Sequence, residues 1–197
     1  MKSERFFKER FKKGLEIYTK IKRKIKELYP YLNEFNENPE KVLEEIKERA
    51  KKLNINIEFL RSSNRFVGTK RDGEINFKID DLRQGDTLIV GISSYYDGTD
   101  FHELVHIWSI LERIDRGETL SPLERLTAEA YCEEVSASIL GLLCDVFKIR
   151  KKIFSPRTIW SMYVNAFSLV VYASFLGLAV RELEGLIKNF SIKIKKN

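Results

Sequence analysis

The chain has 197 residues and only two histidines, four positions apart in Thr99-Asp100-Phe101-His102-Glu103-Leu104-Val105-His106-Ile107-Trp108. Residues four apart share a helix face, so His102 and His106 can turn both imidazoles toward one tetrahedral zinc ion, with Glu103 beside the metal's water. The chemistry of such a set is hydrolysis. Zinc lowers the pKa of its water toward ~7, and Glu103 is placed to take the proton as general base and return it, as general acid, to a leaving amine. Leu104, Val105, Ile107 and Trp108 supply uncharged positions that lock such a helix into a core, and Thr99 or Asp100 can cap its start.

Two imidazoles and a water leave one ligand to be supplied. With no third histidine, and with Cys132 and Cys144 better suited to a core, a carboxylate is expected. In Thr127-Ala128-Glu129-Ala130-Tyr131-Cys132-Glu133-Glu134, Glu129 and Glu133 are four apart on one helical face. Glu129 is read as the third ligand. Glu133 is read as the acceptor for the second ring nitrogen of a ligating histidine, His102 foremost, which would fix its tautomer. The 27 positions from His102 to Glu129 let the first helix end at Gly117, turn, and return beside itself.

His102-Glu103-x-x-His106 with Glu129-x-x-x-Glu133 resembles the gluzincins, thermolysin-like zinc peptidases in which two motif histidines and a glutamate from a following helix hold the metal. Without a third histidine the chain is set apart from the metzincins. Over roughly residues 40 to 148 it looks most like the small soluble versions, minigluzincins and the peptidase domains of phage-immunity and radiation-response regulators. Two positions depart from that pattern: Asp100 stands where the longer motif has an uncharged residue, and Tyr131 where the glutamate helix has Asn or Asp. The resemblance implies a zincin-like fold, Zn2+ as cofactor, and a peptide or protein substrate aligned as an added strand on a sheet edge. Glu74–Ile79 or Thr87–Ile92 could offer that edge. The oxyanion donor cannot be histidine, which leaves Tyr95, Tyr96, Tyr163, Tyr172 and Asn165 as candidates.

The elements that must position these residues are legible in outline, and they make an α+β protein. Residues 1–38 read as a basic amphipathic arm. Phe7, Phe11, Gly14, Tyr18, Ile21, Ile25 and Leu28 form its heptad-like stripe, and Pro30 with the polar run Asn33–Asn38 breaks it. Residues 39–197 read as the peptidase domain. A helix starts at Pro39, and a small twisted sheet spans about 56–93, with strands at Ile57–Arg61, Arg65–Thr69, Glu74–Ile79 and Thr87–Ile92. Asp72-Gly73 is the strongest hairpin signal, because both central residues of a type I′ turn need positive φ. The active-site helix (about 99–115), the glutamate helix (about 122–148) and a long C-terminal helix (about 157–188) follow.

Charge narrows the alternatives. Residues 1–28 carry eleven Lys or Arg against four Glu, whereas the rest of the chain has 24 basic and 25 acidic residues. The basic character therefore belongs to the arm, and a nucleic-acid partner for the whole domain is disfavoured. The arm's alternative uses are to block the cleft of a latent or regulatory protein, to join copies into a homo-oligomer, or to bind nucleic acid through Lys22, Arg23, Lys24 and Lys26. Two cysteines twelve residues apart on one helix cannot pair, which fits a reducing, cytoplasmic setting. Residues 158–180 are uncharged and long enough to anchor the chain in a membrane. Ser161, Asn165, Ser168 and Tyr172 form a polar stripe on that segment, which favours a buried core helix bordering the site floor.

Overall fold

The computed structural model describes residues 2–63, 65–76, 86–118, 128–151 and 155–171, with the side chains of 2–15 and 128–131 outside that description. Among these residues the chain forms α1 (Lys2–Glu37), α2 (Pro39–Lys52), β1 (Asn56–Arg61), β2 (Phe66–Arg71), β3 (Glu74–Asn76), β4 (Thr87–Ile92), α3 (Gly98–Asp115) and α4 (Ala128–Arg150). A fifth helix, α5, runs over 156–171. The architecture is α+β. Residues 77–79 of the expected third strand, the start of the expected glutamate helix at about 122 and everything beyond 171 lie outside the described residues.

The four strands make one mixed sheet in the order β1-β4-β2-β3. β4 pairs parallel with β1, Asn56 opposite Thr87, and antiparallel with β2, Phe66 opposite Gly91. It is thus an inner strand, and Leu88 to Ile92 are buried. Thr87–Ile92 has no free edge for a peptide, which leaves Glu74–Asn76 of the two expected segments. At the β2–β3 hairpin Asp72 and Gly73 both take positive φ, 51° and 86°, as the sequence predicts.

The first helix departs from expectation. Pro30 lies inside α1, and the helix continues to Glu37 before Asn38 caps α2, its side chain accepting from Lys41 N at 3.4 Å. An interior proline removes a hydrogen bond at a cost of ~3 kcal/mol. Packing offsets it: Leu28, Leu32 and Phe35 are buried in one core with Val42, Ile46, Leu88, Val90, Phe101 and Trp108. Phe35 meets Phe101 at 5.2 Å and Tyr96 edge-on at 5.8 Å between ring centroids. The last third of α1 therefore belongs to the core of the domain, so a boundary at residue 38 cuts through one packed body. Tyr18, on the expected apolar stripe, is exposed. Phe35→Ala is expected to cost ~3–5 kcal/mol, read by urea unfolding; a cost below ~1 kcal/mol would mean that α1 only rests on the surface.

Candidate metal centre

The site is built on the first turns of α3, and their anchoring begins at the end of β4. Asp97 is the N-cap, rather than Thr99 or Asp100: its Oδ1 accepts from Thr99 N at 3.1 Å and Asp100 N at 3.3 Å. Asp100 completes a capping box by accepting from Asp97 N at 2.9 Å, and it also accepts from Ser93 N at 2.7 Å and Ser93 Oγ at 2.6 Å. Arg65, just before β2, donates to Asp100 Oδ1 at 3.2 Å and to Asp97 Oδ2 at 2.5 Å. The charged residue two before His102 is thus structural. Burial and the neighbouring Asp97 charge push its carboxyl up, against the hydrogen bonds from Ser93 and the Arg65 charge.

α4 and α5 complete the surroundings. At Gly98 an added Cβ would lie 2.1 Å from Gly141 O, and at Gly141 it would lie 2.7 Å from the Asn165 amide. The absence of side chains at both positions lets the start of α3, the middle of α4 and α5 approach closely. Asp145, buried on α4, accepts from Gly98 N at 2.7 Å and from Ser161 Oγ at 2.6 Å. Thr99 N donates to Ser161 Oγ at 2.8 Å.

Burial raises Asp145 to about 7, with the Asp97 charge adding to it, while hydrogen bonds from Ser161 and Gly98 and the Lys148 charge oppose it. An aspartate in the unfolded chain titrates near 4. Between those values the folded form holds a proton that the unfolded form has lost, so stability is expected to fall as pH rises from about 4 to 7, by ~4 kcal/mol at most. Asp145→Asn should flatten that slope in urea titrations at pH 4.5, 6 and 7.5; an unaltered slope would place the titration elsewhere.

On this frame the two imidazoles face one another. His102 Nε2 and His106 Nε2 are 3.0 Å apart, and both rings are part-buried. His106 Nδ1 donates to Glu133 Oε1 at 2.6 Å, and His102 Nδ1 donates to Asn165 Oδ1 at 3.0 Å. The expected role of Glu133 is thus exercised on His106, and Asn165 serves His102. The third donor brought to the pair is Glu134, with Oε1 3.5 Å from His102 Nε2 and Oε2 3.3 Å from His106 Nε2. Ser168 Oγ on α5 donates to Glu134 Oε1 at 2.9 Å. Glu129, the ligand expected from sequence, stands in the first turn of α4, and its side chain lies outside the described residues. Glu103 is half-buried, and its charge acts on His106.

This donor set fits a metal ion. A carboxylate and an amide oxygen can only accept, so each Nδ1 carries a proton, and in the neutral ring each Nε2 presents a lone pair. His102, His106 and Glu134 then aim ligand atoms at one point, all within 4.8 Å of one another. Were both imidazoles neutral, three acceptors would meet with no donor between them, so the place calls for positive charge, a proton on Nε2 or a metal ion. The same demand appears in His106: burial pulls its pKa down, but hydrogen bonds to Glu133 and Glu134 and the charges of Glu133 and Glu103 raise it to about 10. Burial pushes Glu134 up, yet hydrogen bonds from both histidines and their charges hold it well below the usual carboxylate range.

The oxyanion candidates are dispersed. Asn165 is taken up by His102, Tyr96 Oη is engaged with Arg61 and Glu40, and Tyr95 is exposed under the Arg157 guanidinium. Tyr163 stacks between Trp160 and Phe167 on the outside of α5, and Tyr172 lies outside the described residues. Among the described residues no helix is long and apolar enough to cross a membrane, and residues 172–180 of the uncharged run lie beyond that statement. Both cysteines are buried, with no disulfide between them. Compared with protein-family models, with curated proteins and with solved structures, the chain matches none.

Proposed function

We propose that the chain is a zinc-dependent metallopeptidase of the gluzincin type, with a zincin-like fold, acting on a peptide or protein substrate. The observation that carries this reading is the pair of Nε2 atoms converging with the Glu134 carboxylate, each ring oriented from behind by an acceptor at Nδ1. His102, His106 and Glu134 would hold the ion. Zinc there would supply a Lewis acid for the scissile carbonyl and make water a nucleophile near neutral pH.

The chain's own residues do the rest. Glu103, next to His102 on the same helix, takes the proton of the attacking water on its carboxylate and returns it to the leaving nitrogen. Glu133 and Asn165 keep the rings in one tautomer, which keeps the ligand nitrogens unprotonated. Ser168 fixes the orientation of Glu134.

A latent form of the same centre is favoured by the position of α1. Cys132 Sγ lies 3.8 Å from Ile17 O and Lys24 pairs with Glu112 at 2.6 Å, so the middle of α1 lies along α3 and α4. A cleft of about 170 Å³ between them is lined by Lys20, Arg23, Lys24, Arg113, Arg116 and Glu133. In that form Lys24→Ala raises peptidase activity.

The test of the main reading joins elemental analysis to peptide hydrolysis. One zinc per chain is expected, with cleavage of unstructured peptides that is lost on chelation and restored by zinc. A chain that takes up no divalent metal and cleaves no peptide after zinc loading would overturn it.

A further inference from the structure

Helix α5 has its polarity reversed with respect to the domain it packs on. Thr158, Ser161 and Asn165 are buried against the protein, bonded to Ser155, Asp145 and His102 respectively. The opposite face carries Ile159, Trp160, Tyr163, Val164, Phe167 and Val170, with Trp160 and Tyr163 each 62% exposed, Phe167 60% and Val170 61%. At 100° per residue these six span about 140° of the helix, centred roughly opposite the buried polar stripe. Trp160, Tyr163 and Phe167 stack in sequence along it, with ring centroids 5.7 and 6.3 Å apart. A contiguous exposed apolar face of this kind marks a docking surface.

Its occupant is indicated by charge. Lys148, Arg150, Lys151, Lys152 and Arg157 precede or open the helix, and no Asp or Glu occurs from Val146 to Arg181. Lys148 donates to Tyr95 O at 2.8 Å and Arg157 lies 5.0 Å from the exposed Tyr95 ring, which joins the basic end to the aromatic face. Lys151 also pairs with Glu37 at 3.5 Å. A second copy of the chain docking through this face would bring a second such cluster with no acid on either segment to answer it. Trp and Tyr beside a basic flank suit the headgroup region of an anionic bilayer.

We propose that the outer face of α5 docks on the surface of an anionic phospholipid membrane. The helix lies in the plane of the surface and does not enter it, because Ser161 and Asn165 tie its other side to Asp145 and His102. The histidine pair then sits about one helix diameter, ~10 Å, from the lipid. This inference is independent of any bound metal.

Vesicle flotation of the full chain tests it, together with tryptophan fluorescence. Trp108 is buried, so a blue shift on adding vesicles reports Trp160. Vesicles of phosphatidylcholine with phosphatidylglycerol are expected to bind at least ~10-fold more tightly than phosphatidylcholine alone, with weakening at high salt. Phe167→Glu should abolish flotation while leaving the thermal unfolding midpoint unchanged, and Val170→Glu provides a second exposed variant. Absence of binding to either vesicle, or equal binding to both, would overturn the proposal. So would a concentration-dependent dimer that Phe167→Glu dissociates, with no vesicle binding.

Discussion

Glu134→Gln is expected to weaken zinc binding by ~100-fold or more, and Glu129→Gln, at the ligand expected from sequence, is measured beside it. Residues that merely orient a ligand already cost 10–100-fold in affinity when removed, and losing a ligating carboxylate costs more. Glu134 reaches both ring nitrogens, at 3.5 and 3.3 Å, with Ser168 holding one of its oxygens in place. Glutamine keeps the shape and one weak oxygen donor but removes the charge that offsets the cation's. Competition with a chelator of known affinity measures the effect, and thermal unfolding of both variants checks that they fold. If Glu129→Gln strips the metal and Glu134→Gln does not, α4 presents its first turn to the ion, and the grouping of His102, His106 and Glu134 is not the ligand set.

The second large effect separates binding from catalysis. Glu103→Gln should retain zinc at the wild-type level and lower kcat for peptide hydrolysis by ~10²–10⁴-fold, because the amide can neither take nor return a proton. Glu103 is half-buried, and its carboxylate is not among the three groups that converge on the metal position. Equal loss of metal and activity would make Glu103 a ligand or a structural residue instead. Full activity with metal bound would require another base.

Local chemistry was legible in the sequence and relative placement of helices was not. The Asp72-Gly73 turn, the β4 strand and the phase of His102 and His106 follow from residue types a few positions apart. Pro30 misled because its penalty is local while the burial of Leu32 and Phe35 that outweighs it is tertiary. Asp100 looked like a departure from a motif because its partners, Ser93 and Arg65, come from two strand ends. Glu129, Glu133 and Glu134 occupy one helix, and which of them meets the histidines depends on how α4 crosses α3. The helices approach closely at Gly98 and Gly141, a contact that no periodicity encodes. The polar stripe of α5 could be read as a site floor, yet assigning Asn165 to His102 rather than to an oxyanion needed the docked helix.

The donors proposed for the metal come from separate helices, and this bears on how the chain holds itself together. A cation bound by His106 and Glu134 would tie together positions 28 residues apart along the chain and so act as a reversible cross-link, in a protein whose two buried cysteines form no disulfide with one another. Like any ligand specific to the folded form, it would stabilise by RT ln(1 + [M]/Kd), ~4 kcal/mol at a thousand times Kd. Metal supply would then set the lifetime of the protein as well as its activity, with the metal-free chain the one most readily opened and degraded.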